Sequence, residues 1–431
     1  MTTNQEDIKR KRILLIAPVM PAQTGGGLPM RLGGFLEAAA ALGDVDVLTI
    51  PYISSINAEE TAFTRKYTKR LIVIESKGRI DTFLDIIRHK AGQEQSLPAF
   101  AAHGRPSTCI HMSSPVLRDA AHAVSGQSYD LCIVVRLNCL PILEAIMETT
   151  KLKRVICDLD DDDQQVAIEN AQNALELGDN ATHEWFKTEA GIFRAFLDKM
   201  SMKTELMTIS NPLSLARLST PEQKTPIHLV ENSISITSPV PTVDRPMLLF
   251  VGILNYEPNM EGLKWFFSNV WGQIKQAIPD VKMLVAGRLP TKEIISLTKE
   301  NGVELLNDLP DITEAYAATS LAIVPLLSGS GTRIKILEAG AYGMPVVSTE
   351  KGAEGLALQD GEHGWIVPQD PDAFATACIE ALRSPDKRKA TAQRLRDFVT
   401  KNHGRDNSII QIENLLRPLV RTASKTVVSK N

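Results

Sequence analysis

One short segment, from Ser328 to Thr349, concentrates residues that could bind an anion. A strand-like apolar run ends at Pro325, and the small residues SGSG follow it before Thr332, a residue type that caps helices. Backbone amides at the start of a helix bind phosphate groups, and glycine lets a ligand approach the main chain closely. The segment therefore predicts a helix that begins at Arg333, with an anion site at its start.

The charges of this helix favour a nucleotide as the ligand. Arg333 and Lys335 stand in its first turn, where cations oppose the helix dipole unless an anion is bound. Glu338 shares a face with Lys335, and a carboxylate can accept two hydrogen bonds from a ribose diol. Phosphate donors followed by a diol acceptor predict a nucleoside diphosphate site. A capped helix with an ordinary Lys–Glu pair is the alternative, and neither the Walker spacing nor the dinucleotide glycine fingerprint is present.

A second candidate segment is TGGGLPMR, which spans residues 24–31 after the first strand-like run. Its consecutive glycines, Gly25, Gly26 and Gly27, would let the backbone approach a ligand closely, and Arg31 adds a charge. A flexible turn is the alternative.

An acidic run from Asp158 to Asp163 contains five aspartates. Paired carboxylates can bind Mg²⁺ on a nucleotide, which would make this run a metal site. Carboxylates also suit the first turn of a helix, because they complement its dipole. We favour the acidic helix start and expect no bound metal.

The stretch 61–90 carries eight Lys and Arg residues against three acidic ones, a surplus of 8 − 3 = +5. Two interpretations stay open. One is a peripheral contact with an anionic inner-membrane surface, to which each well-placed cation contributes roughly 1 kcal/mol at best. The other is a solvated helix face.

Alternating strands and helices must position these segments. Apolar runs of the kind that form buried parallel strands occupy, in the first half, Arg12–Pro18, Val45–Ile50, Leu71–Ile74, Leu131–Val135, Arg154–Cys157 and Leu206–Ile209. In the second half they occupy Met247–Val251, Lys282–Ala286, Val303–Leu305, Leu321–Pro325, Pro345–Ser348 and Trp365–Val367. Helical patterns lie between them, and a last helix is expected over Asp406–Arg421. Strict alternation predicts an α/β fold, with a parallel sheet covered by helices in each half.

The chain of 431 residues is too long for one hydrophobic core, which seldom exceeds about 250–300 residues. The best linker is ITSPVPTVDRP, residues 236–246, with three prolines. We therefore expect domains over 1–236 and 247–400, and a C-terminal helix and tail over 401–431 that could pack back on the first domain. Ligands of open parallel sheets sit at the carboxyl ends of the strands, so both halves could direct those ends into a shared cleft.

Composition narrows the class of protein. Apolar residues make up 43% and charged residues 23%, and the net charge is −4, so bulk binding to nucleic acid is not expected. The polar start of the sequence and its short apolar runs lead us to expect neither a signal peptide nor a membrane-spanning helix. Its five cysteines have no disulfide or zinc spacing and are expected to be buried thiols in a cytoplasmic protein.

At this point the chain resembles a known family. GSGTRIKILEAGAYGMPVVSTEKGAEGL, from Gly329, looks like the donor-site signature of retaining family-4 glycosyltransferases of the GT-B type (glycosyl transferases group 1). VGILNYEPNMEGLKWF (251–266), MLVAGR (283–288), the acidic turn at 307–311 and LAIVPL (321–326) fall in the family's order. The resemblance covers roughly 248–382 and is looser in the first half.

The resemblance implies a GT-B fold with two Rossmann-like domains, the first for the acceptor and the second for a nucleoside diphosphate sugar. It implies sugar transfer with retention, without a metal or other cofactor. Glu338 matches the glutamate that binds ribose, and Arg333 and Lys335 would neutralise the leaving diphosphate. The donor-binding residues so assigned are Gly252, Arg288, Ser330, Gly331, Thr332, Arg333, Lys335 and Glu338.

The chain also departs from the family pattern. The first family glutamate falls on Ser330, and the histidine of the first domain falls near Arg136, which we assign with Arg333 and Lys335 as the catalytic set. The cations usual after the first strand of the donor domain are absent from 255–258. The resemblance places Gly25, Gly26, Gly27 and Arg31 near the acceptor.

These observations predict a retaining hexosyltransferase of the EC 2.4 class in bacterial polysaccharide or glycolipid assembly at the cell envelope. Its partners would be a nucleotide-sugar donor and a saccharide or lipid-linked saccharide acceptor. The protein would be cytoplasmic or peripheral on the inner membrane face. A nucleotide-sugar epimerase of the same fold and a catalytically silent donor-binding subunit are the alternatives.

Overall fold

The computed structural model describes residues 10–51, 58–90, 95–241, 243–309, 311–329, 331 and 333–421. The chain divides into two compact units. The first runs up to Glu231 and resumes at Ser408, and the second comprises Asn232–Asn407. The sequence-based boundaries at 236, 247 and 400 stay a prediction about the domains.

The first unit is built on a parallel sheet. Its strands are β1 (Lys11–Ala17), β2 (Gly43–Thr49), β3 (Arg70–Val73), β4 (Ser128–Tyr129), β5 (Leu131–Val135), β6 (Lys151–Leu152), β7 (Val155–Asp158), β8 (Leu206–Ile209) and β9 (Ile227–Leu229). Seven of them pair in the order β3-β2-β1-β5-β7-β8-β9, and β4 pairs with β6. In β1 the last five residues are buried, as expected for a strand covered on both faces.

Helices cover both faces of this sheet. They are α1 (Gly27–Leu42), α2 (Ala58–Tyr67), α3 (Thr82–His89), α4 (Ser96–His103), α5 (Ser114–Val124), α6 (Leu140–Met147), α7 (Asp163–Glu176), α8 (Asn180–Ser201) and α9 (Pro212–Leu218). Alternate residues of β1 divide between two hydrophobic clusters, Leu14 and Ile16 in one and Ile13 and Leu15 in the other. The alternation of a strand therefore supplies a core on each side of the sheet.

The second unit repeats the pattern. Its strands are β10 (Met247–Ile253), β11 (Lys282–Arg288), β12 (Glu304–Asn307), β13 (Leu321–Val324), β14 (Val346–Thr349) and β15 (Trp365–Val367). Its helices are α10 (Glu257–Asn269), α11 (Trp271–Ala277), α12 (Lys292–Glu300), α13 (Thr313–Ala317), α14 (Ile334–Tyr342), α15 (Glu350–Ala353), α16 (Pro371–Arg383) and α17 (Pro385–His403). All strand pairs are parallel, in the order β12-β11-β10-β13-β14-β15, which is the order of a doubly wound nucleotide-binding sheet.

The last helix, α18 (Arg405–Arg421), packs on the first unit. Ile412, Leu416 and Val420 recur every fourth residue and are buried in the cluster that holds β1 and α1. The sequence pattern predicted this helix, whereas it did not predict α17, whose charged sequence has a weak apolar periodicity.

The structure also bears on the cysteines and on membrane-spanning helices. The five cysteines are free and buried, as predicted. In the described part of the chain no helix combines the length and apolarity needed to cross a bilayer.

Candidate active site

The predicted anion site lies where α14 begins, beyond the end of β13. Two predicted donor-binding residues, Ser330 and Thr332, lie outside the described residues. The helix begins at Ile334, with Arg333 at the N-cap position, so the expected start at Arg333 is wrong by one residue. Gly331 is described and partly buried.

A close helix contact fixes the position of α14. A Cβ on Gly340 would lie 2.7 Å from Cγ2 of Val399 and 3.1 Å from Cγ of Leu395, both on α17. Only glycine lets the two helices approach this closely. The helix that the sequence did not predict therefore supports the one that carries the candidate site.

Arg333 is directed into the protein rather than left open for a ligand. Its side chain is only 6% exposed and donates to the carbonyls of Gly329, at 2.5 Å, and Lys351, at 3.1 Å. Its guanidinium lies 3.6 Å from a carboxylate oxygen of Glu354. Arg333 thus ties the glycine loop before α14 to the start of α15, and its predicted contact with a leaving diphosphate stays a prediction.

Lys335 occupies a different environment, with one polar partner. Its ammonium donates to Oδ1 of Asn259 at 2.6 Å and lies 4.5 Å from the ring centre of Phe250. Burial, reinforced by the nearby Arg333 charge, lowers the pKa of Lys335 to about 7. In the part of the chain that the structure describes, the ammonium forms no ion pair.

Glu338 lies on the same helix face as Lys335, and its carboxylate can still accept hydrogen bonds from a ligand. The hydroxyl of Tyr316 donates to its Oε2 at 3.1 Å. Burial raises the pKa of Glu338 to about 7, against the opposing effects of Tyr316 and Lys335. Tyr316 in turn stacks on Tyr342, with ring centres 4.4 Å apart. A carboxylate has about four acceptor positions, so one bond from Tyr316 leaves it able to accept more.

Two residues that the sequence analysis did not select complete this region. Asn259, in the first turn of α10, is buried and contacts Lys335. Tyr316, on α13, is buried and orients Glu338. The sequence offered one signal for Asn259. It is a polar residue in the first turn of the helix that follows the strand ending near Gly252.

Two other predicted donor residues, Gly252 and Arg288, lie near the ends of β10 and β11. Gly252 on β10 is the register partner of Gly287 on β11. Arg288 ends β11, and its side chain is exposed and makes no hydrogen bond or ion pair within the described ranges. Its predicted contact with the donor stays a prediction.

In the first unit the glycine loop leads directly into α1. Gly25 has a φ of 108°, which favours glycine, Gly26 takes the N-cap position and Gly27 begins the helix. A glycine N-cap has no side chain that could bind the first helical amides, and the amide of Met30 donates to the carbonyl of Gly26 at 3.1 Å.

Arg31, the predicted acceptor residue of α1, is buried and bonded within the first unit. It is 6% exposed and its guanidinium makes two hydrogen bonds to Asp158, at 2.6 and 2.7 Å, and a third to the carbonyl of Val230 at 2.6 Å. Thr208 donates to the same carboxylate. The positive charge of Arg31 thus lies inside the unit in a bidentate ion pair, and its assignment to the acceptor stays a prediction.

Arg136, the third predicted catalytic residue, pairs with two aspartates. Its guanidinium lies 3.2 Å from Asp160 and 2.5 Å from Asp163. The backbone is left-handed at Arg136 (φ 72°) and Asp160 (φ 61°), a conformation that costs energy in residues other than glycine and occurs often at functional sites. The catalytic assignment of Arg136 stays a prediction.

The acidic run forms a helix start, as favoured above. The strand β7 ends at Asp158, α7 begins at Asp163, and Asp162 accepts from the backbone amide of Gln165 as the N-cap. Among the described residues there is no group of three His, Cys, Asp or Glu side chains placed to hold a metal ion.

The basic surplus of 61–90 is smaller in the folded chain than in the sequence. Lys69, Arg70 and Arg79 pair with Asp44, Asp46 and Asp119, which lie outside the stretch. Counting charges along one segment cannot include partners that folding brings from elsewhere. Arg88, in the last turn of α3, and Lys90, its C-cap residue, remain exposed.

Most of the second unit matches a known family model. Residues 245–384 match the family model described as glycosyl transferases group 1. An uncharacterized 44.6 kDa protein in the cps region of Klebsiella pneumoniae is 29% identical over 164 residues, which are 36% of this chain and 42% of that protein. A phosphatidyl-myo-inositol mannosyltransferase of Mycobacterium leprae is 29% identical over 142 residues, 32% of this chain and 37% of the relative. The matches thus span only 42% and 37% of the length of these curated relatives.

Solved structures match nearly the whole chain. A sucrose-phosphate synthase from Thermosynechococcus elongatus has a TM-score of 0.64 and 19% identity, covering 95% of this chain and 99% of that one. HepE of Anabaena, solved with UDP and glucose, has a TM-score of 0.65 and 13% identity, covering 95% and 100%. The fold is GT-B. At these identities the GT-B likeness establishes the fold, which the sequence predicted, and leaves the reaction to be argued from the site.

Proposed function

We propose that this protein is a glycosyltransferase that moves a hexosyl group from a nucleoside diphosphate sugar to a hydroxyl acceptor, with retention at the anomeric carbon. The observation that carries the proposal is the start of α14, where a lysine and a glutamate share one helix face inside a glycosyl transferases group 1 domain. The acceptor class is a saccharide or a lipid-linked saccharide of the bacterial cell envelope. The name of the mannosyltransferase relative supports this class.

The chemistry follows from the charges that develop as the sugar–phosphate bond breaks. Negative charge grows on the diphosphate, and positive charge grows on the sugar. The Lys335 ammonium and the first amides of α14 would stabilise the leaving group, and one well-placed donor can be worth about 3 kcal/mol. Glu338 would accept hydrogen bonds from the ribose diol, while Arg333 would hold the glycine loop in place.

The mechanism requires no metal ion. Three carboxylates of the acidic run, those of Asp158, Asp160 and Asp163, pair with Arg31 and Arg136, so their charge is already compensated. We expect transfer to continue in EDTA. Loss of transfer in EDTA, restored by Mg²⁺, would contradict this part of the proposal.

A transfer assay tests the function. The full-length protein is incubated with a panel of nucleotide sugars and bacterial glycan or glycolipid acceptors, and nucleoside diphosphate release and the anomeric configuration of the product are followed by NMR. An α-linked product from an α-linked donor is expected. Conversion of the donor without an acceptor would indicate an epimerase. Binding of the donor without release of the nucleoside diphosphate, whichever acceptor is present, would indicate a catalytically silent subunit.

Peripheral membrane contact is a second part of the proposal. Phe83 and Ile86 on α3 are 45% and 49% exposed, and Arg88 and Lys90 stand exposed at the end of the same helix. Apolar side chains beside cations suit an anionic lipid surface.

A vesicle sedimentation assay tests this contact. Binding to vesicles with 30% phosphatidylglycerol is expected to exceed binding to phosphatidylcholine vesicles by about tenfold at low salt and to fall at high salt. The Arg88→Glu/Lys90→Glu variant should lose it, whereas Lys292→Glu, an exposed lysine of α12, should not. Equal binding by both variants would contradict the contact.

A further inference from the structure

Asn259 is a buried amide that joins two elements of the second unit. Its Nδ2 donates to the carbonyl of Ile253, at the end of β10, at 2.8 Å. Its Oδ1 accepts from the ammonium of Lys335, on α14, at 2.6 Å. With 4% exposure, it has little access to water in place of these partners.

The two bonds fix the orientation of the amide. A carbonyl oxygen can only accept, so the group that faces Ile253 must be the NH₂ group of Asn259. The oxygen must then face Lys335, where it accepts from a cation that can only donate. Neither aspartate nor leucine, which resemble asparagine in size, could satisfy both sides at once.

Among the residues that the structure describes, protein oxygens use only one of the donors of the Lys335 ammonium. It has three N–H donors, of which Asn259 receives one, and the Phe250 ring contributes a cation–π contact. The charged groups that act on it are Arg333, at the N-cap of its own helix, and Glu338, on that helix. Asn259 and Phe250, which face it from α10 and β10, carry no charge.

We infer that Asn259 is the positioning residue for the Lys335 ammonium: it holds that group at the carboxyl end of β10, with the remaining N–H donors available to the diphosphate of a nucleotide sugar. This inference rests on the proposed function. The chain lacks cations at 255–258, and Asn259 instead recruits one from α14.

The same geometry accounts for Gly252 without a ligand. A Cβ at Gly252 would lie 2.7 Å from Nδ2 of Asn259, a distance that real Cβ atoms essentially never show, and 3.2 Å from its Cγ. Because glycine leaves this space empty, the Asn259 amide can lie against the strand and reach Ile253 and Lys335 together.

The first experiment needs no ligand. The full-length protein is labelled with [ε-¹³C]lysine, the Lys335 resonance is assigned with a Lys335→Met variant, and the pKa of Lys335 is read by NMR titration. Asn259→Asp should raise the pKa of Lys335 by about one unit or more, because a carboxylate stabilises the ammonium. Asn259→Ala should lower it, because the acceptor is lost. Asn269→Ala, an exposed asparagine of the same helix, should leave it unchanged.

A pKa of Lys335 that is the same in wild type, Asn259→Asp and Asn259→Ala would overturn the inference. Two variants are used because one of them could fail to fold. Either variant that keeps the wild-type circular dichroism spectrum is sufficient to test the inference.

The second experiment measures affinity by calorimetry for UDP, GDP, ADP and dTDP, at several pH values. Asn259→Ala should weaken the binding of the tightest-binding nucleotide about tenfold, because about one charge-assisted hydrogen bond is lost. Wild-type affinity should decline above pH 7 as Lys335 loses its proton, and Asn259→Asp should move this decline to higher pH. Unchanged affinity and an unchanged pH profile would overturn the inference. Absence of binding by the wild type would instead overturn the proposed function, and the NMR titration would still decide whether Asn259 holds the ammonium.

Discussion

Replacing Arg333 by alanine tests whether this residue stabilises the fold, whereas Lys335 binds the nucleotide. The sequence could not distinguish these two roles. From the sequence alone, Arg333→Ala and Lys335→Ala should both reduce turnover and leave folding intact. In the structure Arg333 bonds the carbonyls of Gly329 and Lys351 and lies near Glu354, whereas Lys335 contacts a single amide oxygen. We therefore expect Arg333→Ala to destabilise the second unit.

The magnitude follows from the bonds that are lost. Each partly buried carbonyl left without a donor costs about 1–3 kcal/mol, and the lower half of that range applies because Gly329 and Lys351 keep some exposure. The Glu354 contact adds little, because Glu354 also pairs with Lys351 at 2.8 Å. The total is about 3 kcal/mol, which lowers the Tm of a unit of this size by about 6–12 °C.

Differential scanning calorimetry on Arg333→Ala and Lys335→Met checks this expectation, with nucleotide affinity measured on the same samples. Arg333→Ala should lower the Tm of one transition. Lys335→Met should lower the Tm less than Arg333→Ala does, because it leaves one acceptor, Oδ1 of Asn259, without a donor while it removes a cation from a partly buried site. It should also lose nucleotide affinity. If Arg333→Ala has the Tm of the wild type, or if Lys335→Met is the less stable of the two, the assignment of roles is refuted.

Three further predictions concern the same structural features. Asp158→Asn should lower the free energy of unfolding by about 3–5 kcal/mol in urea titrations, because it leaves the buried Arg31 charge without its bidentate partner; a change below about 1 kcal/mol would contradict the buried pair. Gly252→Ala should weaken nucleoside diphosphate binding about tenfold in calorimetry by displacing Asn259, and wild-type affinity would show that the displacement does not occur. Relative to Lys335→Met, the wild type should gain about 1.4 kcal/mol of unfolding free energy per pH unit from pH 7 to pH 10, because the unfolded lysine keeps the proton that the folded one has lost; parallel stability curves would contradict the lowered pKa.

Much of the fold could be predicted because buried parallel strands leave a strong local pattern. The strands Leu131–Val135, Leu206–Ile209 and Trp365–Val367 have the bounds expected from their apolar runs. The helix α17 was missed because its buried face is short of apolar residues and includes Arg388 and Thr391.

The site could be predicted only where its residues lie close in sequence. Lys335 and Glu338 share a helix turn, so spacing was enough to pair them. Arg31 and Asp158 are separated by 127 positions, and no local pattern indicates that folding brings them together. A basic residue beside three glycines suggested a ligand, and only the structure indicates its ion pair with a buried carboxylate.

Asn259 illustrates the same limit within the second unit. It contacts a lysine 76 positions away, and its function depends on which amide atom faces which neighbour. Residue types predict that a cation is present on α14, whereas only the structure indicates what holds it.

We propose that the start of α14 binds the diphosphate of a nucleotide sugar through Lys335. Calorimetric titration of the wild type and Lys335→Met with a nucleoside diphosphate and the matching monophosphate measures this contribution of Lys335. We expect the wild type to bind the diphosphate about tenfold or more tightly than the monophosphate, and Lys335→Met to bind the two nearly equally. A ratio that is the same in both proteins, or a wild type that binds neither nucleotide, would contradict it.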